Sequence, residues 1–94
     1  MPVLKVAHLR QQGVDLIIAP LNHDFGHKTT QDQEEIVYDI QVHARQAGLT
    51  GTVVPVWDNG GGRMAFMAPS NWHPFFRSLD LRTVWANINR EISW

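Results

Sequence analysis

The chain contains no cysteine. Disulfides, thiolate zinc sites, iron–sulfur clusters and cysteine nucleophiles are therefore excluded. Small exported domains often rely on disulfides, so the absence leads us to expect a reducing, cytoplasmic compartment. Charge is also scarce: 18% of the residues are Asp, Glu, Lys or Arg, against about 25% in typical domains. Much of the surface must then be neutral polar or apolar, which favours association. No run approaches the roughly 18 apolar residues of a membrane helix, so no membrane partner is expected. The first residues lack a basic region followed by a long apolar stretch, so no signal peptide is expected either. With 94 residues there is room for a single globular domain, 1–94. A domain of that size buries only roughly 60–65% of its unfolded surface, which leaves little room for a large active-site cavity.

What charge there is falls unevenly. Residues 15–58 carry Asp15, Asp24, Asp32, Glu34, Glu35, Asp39 and Asp58 against Lys28 and Arg45. Residues 63–94 carry Arg63, Arg77, Arg82 and Arg90 against Asp80 and Glu91. Four arginines do not make a nucleic-acid footprint by themselves. Regions of opposite sign suit head-to-tail or paired self-association.

The pattern along the chain is that of an α/β (α+β) domain. Residues 2–12 fit two readings. As a helix, Pro2 lies near its start and Gly13 just past its end; as a strand, Gln12-Gly13 is a tight turn into the next one. The poor alternation tips the balance slightly to the helix. Val14 to Leu21 is short, nearly all apolar and rich in β-branched residues, as in a strand covered on both faces. A loop with Gly26 follows. Thr30 and Gln33 predict a capping box. Ile36, Val37, Ile40, Ala44 and Ala47 then predict one helical stripe, ended by Gly48 with Leu49 in a Schellman cap. Thr52 to Trp57 is a second strand, and Arg63 to Ala68 a third in a hairpin with it. Pro55 is awkward there, because it cannot donate to a ladder. Pro69 to Leu79 holds a short helical turn capped by Ser70 or Asn71. Asp80 then caps a last helix with the stripe Leu81, Val84, Trp85, Ile88 and Ile92. The predicted order is (α)βαββα, a mixed sheet of three or four strands with helices packed on it.

Three clusters carry possible chemistry. His23-Asp24-Phe25-Gly26-His27 follows the carboxyl end of a strand, where α/β sheets bind ligands. His23, Asp24 and His27 are nitrogen and oxygen donors suited to a divalent metal; the plain alternative is a solvated polar loop. Asp58 to Arg63 offers an anion cradle from Gly60, Gly61, Gly62 and Arg63, or simply a flexible hairpin tip. Asn71 to Arg77 is dense in aromatics. Trp72, Phe75, Phe76 and Arg77, with Arg63, are candidate contacts for a protein partner, or for stacked bases; the alternative is a corner of the core. A weaker stripe of Tyr38, Val42 and Arg45 on the first long helix is a possible docking face.

No serine sits in a nucleophile elbow, and no carboxylate pair is placed as acid and base. The expectation is a non-catalytic interaction module with no cofactor. It would act as an adaptor, regulator or accessory subunit and self-associate as a homodimer. The alternatives are a nucleic-acid or nucleotide binder using Arg63, Arg77 and Arg82 with aromatics, and a small metal-dependent enzyme at the His23/Asp24/His27 loop. The argument for association is physical: four tryptophans are more ring surface than so small a core easily shields.

Overall fold

A computed structural model describes residues 3–61 and 63–93. At its centre lies the apolar run, as strand β2 (Val14–Leu21). Side chains alternate between the two faces of a strand. Leu16 and Ile18 accordingly join one apolar cluster, and Ile17 and Ala19 join another. A strand packed on both sides leaves little room for polar residues, which is why its sequence is apolar from Leu16 to Leu21, with Asp15 near its open start.

Strand β1 (Val3–Gln11) pairs antiparallel with β2, Gln11 opposite Val14. The linking Gln12 and Gly13 have φ of 52° and 77°, the double positive φ of a tight hairpin turn. The leaning toward a helix at 2–12 is thus corrected in favour of its strand alternative; Pro2 itself lies outside the described residues. The reason is burial on two sides. Val6 and Ala7 are adjacent, both are fully shielded, and they enter opposite clusters.

Helix α1 (Thr30–Gln46) carries the chain from β2 to β3 (Thr52–Asp58), which lies parallel to β2. Its cap is Thr29, one residue before the predicted one: Thr29 Oγ1 accepts from Asp32 N at 3.1 Å. Gln33 does not close the box but donates to Phe25 O at 2.9 Å. At the other end the Schellman bonds form as expected, Leu49 N to Ala44 O at 2.9 Å and Gly48 N to Arg45 O at 3.0 Å. Ile36, Val37, Ile40 and Ala44 pack on the sheet, whereas Ala47 is the exposed cap residue.

Strand β4 (Met64–Phe66) is shorter than predicted, and Pro55 explains why. Met67 N donates to Pro55 O at 3.1 Å. The reciprocal bond of that pair needs an N–H that Pro55 lacks, so the ladder stops at Val56↔Phe66. The missing donor faces β4, and the parallel ladder to β2 continues past Pro55.

After β4 the chain makes a 3-10 turn at Ser70–Trp72 and helix α2 (His73–Arg77). Neither Ser70 nor Asn71 caps them. Asp80 caps helix α3 (Leu81–Ala86) as expected, accepting from Thr83 N at 2.7 Å. Hydrogen bonds from the backbone and hydroxyl of Thr83 hold the Asp80 carboxyl below its ordinary pKa against an opposing desolvation, with Arg82 adding a lesser pull in the same direction.

The predicted last helix ends early. Arg90–Ser93 is a fifth strand, β5, antiparallel to the start of β1. Asn89 makes the switch. Its backbone N donates to Val6 O at 3.1 Å, while its side-chain amide accepts from His8 N at 2.8 Å and donates to His8 O at 3.0 Å. The result is an α+β domain on a five-stranded mixed sheet of order β4-β3-β2-β1-β5. The cluster with α1 covers one face; α2, α3 and the 3-10 turn before them cover the other.

Candidate functional site

Because β2 and β3 are parallel, their carboxyl ends open on the same edge of the sheet, the usual ligand side. The loops that follow them meet there. After β2, His23–His27 forms a 3-10 turn, with Asn22 Oδ1 accepting from Asp24 N at 3.1 Å. Phe25 anchors it: it is buried and lies edge-on to Trp57, ring centroids 4.9 Å apart. Gly26 rests against the same indole, and a Cβ there would be 2.5 Å from Trp57 Nε1. Between the two loops is a cavity of about 270 Å³, lined by His23, Gly26, His27, Asp58, Asn59 and Gly60.

The cavity gathers part of the predicted metal set. His23 and His27 stand edge to face, 6.2 Å between ring centroids, on a lining that also includes Asp58. Asp24 instead turns to His23, with its Oδ1 3.2 Å from Nε2 in an exposed pair. Among the described residues, no three His, Asp or Glu side chains converge into a group able to hold a metal ion. Nor is the anion cradle formed around Gly60. Asp58 Oδ1 already accepts from Gly60 N at 2.8 Å, and a carboxylate there repels an anion. Asn59 N to Arg63 O at 2.8 Å and Arg63 N to Gly60 O at 3.2 Å close the loop as a hairpin tip. The positive φ of Gly60 and Gly61, 98° and 63°, serves that turn. Gly62 lies outside the described residues. Trp57 Nε1 is a buried donor with no acceptor, the one such side-chain atom found among the described residues, and it sits directly behind Gly26.

The aromatic segment is divided between core and surface. Trp72 and Phe76 are buried against the sheet beneath α3. They are corrected from partner contacts to core residues: of the large side chains on that face, these are the ones that fill it. Phe75 is half-buried and edge-on to both Trp72 and Phe76. Arg77 and Arg63 are exposed. The free indole is elsewhere. Trp85 leaves 54% of its surface in solvent, whereas Trp57 and Trp72 are shielded to 8% and 9%; Trp94 lies outside the described residues.

Sequence reasoning placed Trp85 on the core stripe of a long helix. In the short α3 actually formed, Leu81 and Val84 face the sheet and Trp85 is turned away. Arg82, three residues earlier, is exposed on the same side. On the opposite face of the sheet, Tyr38 of α1 is 69% exposed. It lies in a shallow depression of about 470 Å³ with Gln31, Glu34, Glu35 and Asp39. Of its predicted stripe, Arg45 is exposed and Val42 half-buried.

Compared with protein-family models, curated proteins and solved structures, the chain matches none. Among the described residues no helix is long and apolar enough to cross a membrane.

Proposed function

We propose that this chain is a non-catalytic protein-interaction module, an adaptor, regulator or accessory subunit, that associates with copies of itself. The observation that carries this reading is the exposed indole of Trp85. A protein with two shielded sheet faces still leaves its largest side chain half in water. Trp and Arg dominate the energetics of protein contacts, and Arg82 and Trp85 share one side of α3. Half-buried Phe75 and exposed Arg77 belong to the same layer of helices and take part in the contact. The scarcity of charge supports the same reading, and the lack of cysteine supports a cytoplasmic setting.

The test is sedimentation equilibrium of the full chain beside its Trp85→Ala variant. Association of the parent is expected, weakened at least about tenfold by the substitution, with the far-ultraviolet circular dichroism unchanged. A parent that stays monomeric up to about millimolar concentration, the weak end of protein affinities, removes the reading.

A further inference from the structure

We infer that the self-contact is heterologous: the Arg82–Trp85 side of α3 in one copy docks into the Tyr38 depression on α1 of the next. This rests on the self-association reading above and says which surface Trp85 meets. The two surfaces cannot satisfy each other within one chain. Val84 of α3 packs in the cluster on one face of the sheet, and Ile40 and Ala44 of α1 pack in the cluster on the other. They therefore point away from each other.

Their chemistry is complementary. Along α1, the carboxylates of Asp32, Glu34, Glu35 and Asp39 are all exposed, opposed only by Arg45. Along α2 and α3 the exposed charges are Arg77, Arg82 and, between them, Asp80, which caps α3 and lowers the net positive charge of this side to one. Among the described residues, neither Arg77 nor the α1 carboxylates form an ion pair within the chain, and Arg82 has only the nearby Asp80 carboxylate, beyond salt-bridge distance. Tyr38 with Glu34, Glu35 and Asp39 puts an aromatic ring and carboxylates together on one open face of α1. A guanidinium suits both partners, through charge-assisted hydrogen bonds and through the ring face. The indole beside it adds apolar area to a projecting side chain that needs cover.

The same charges disfavour symmetric pairing. An α1-to-α1 contact sets carboxylates against carboxylates, and an α3-to-α3 contact gives the arginines no acidic surface comparable to that of α1. A contact between unlike surfaces leaves one of each unfilled at the ends of a pair. The first product is a dimer, and further copies add as concentration rises.

Two variants separate this arrangement from others: Trp85→Ala, which blocks the α3 side, and Glu35→Arg with Tyr38→Ala, which blocks the α1 side. All three positions are exposed, so both proteins should keep the circular dichroism spectrum of the parent. Each variant alone is expected to lose association at least about tenfold. Their equimolar mixture is expected to form a one-to-one heterodimer and stop there, because every remaining open surface is blocked. If Trp85→Ala dissociates the protein and the α1 variant behaves as the parent, self-association stands and the α1 site is wrong. If both dissociate and the mixture stays monomeric, the contact is not heterologous. If the parent itself never associates, the underlying reading fails.

Discussion

A methyl group at position 26 would lie 2.5 Å from Nε1 of Trp57 and 3.1 Å from Cδ1. Those distances tie a surface loop to the core. The indole is 8% exposed and clamped between Phe25 and Gly26, so it cannot yield as a flexible chain end would. Gly26→Ala should therefore destabilise the fold by about 1–3 kcal/mol, the range for overpacking. Gly48→Ala meets nothing within 4 Å and is strained only by its φ of 82°, so it should cost about 1 kcal/mol. Thermal or urea denaturation compares the two. An alanine at 26 that is neutral, or milder than the one at 48, would show that the loop is not seated on Trp57. The sequence marks Gly26 as a loop glycine and nothing more. Its partner Trp57 is remote in the chain, and no local pattern connects them. The neighbouring His23 and His27 were legible as a pair at a strand end, but whether Asp24 would face the cavity or the solvent depended on the turn.

Gln41 on α1 acts as a substitute strand. Its Nε2 donates to Gly51 O at 3.0 Å, and its Oε1 accepts from Val53 N at 3.0 Å. Those two backbone groups lie on the edge of β3 that the short β4 leaves uncovered, since β4 reaches only Val56. Gln41→Leu keeps the bulk and strips both bonds. It should cost about 1–3 kcal/mol, the penalty for unpaired buried groups, and accelerate amide exchange at Val53. Unchanged exchange there would mean that water serves the edge equally well. Elements with one dominant local signal were readable in advance. β2 is legible because a strand covered on both faces is apolar along nearly its whole length, and the end of α1 because Gly48 supplies a left-handed cap. The carboxyl terminus was misread for a reason of period. Ile88 and Ile92 are four residues apart, which is close to one helical turn and also two strand repeats. Neither period spans the junction: Ile88 lies before β5 and packs with one cluster, while Ile92 within β5 packs with the other. The switch residue, Asn89, gives no signal without the backbone of His8 to bond.

At the scale of the molecule, the uneven charge along the chain becomes a difference between two faces. The acidic stretch includes α1, and α2 and α3 carry basic side chains on the other side of the sheet. That much of the association argument could be drawn from the sequence, which also held that the core could not shield every ring. Which ring is left out could not be drawn from it. Trp72, a candidate contact with a corner of the core as its alternative, lies inside; Trp85, placed on a core stripe, lies outside. In the six-residue α3, Leu81 and Val84 fill the side against the sheet, and Trp72 from the preceding turn fills the core beside them. Two-dimensional NMR across a concentration series tests the central claim most directly. The Trp85 indole N–H and the α1 amides from Glu34 to Asp39 should shift together along one saturating curve, while the buried Trp57 indole stays fixed. Spectra that do not change with concentration, or a Trp85 signal that moves while those of α1 stand still, would contradict the account.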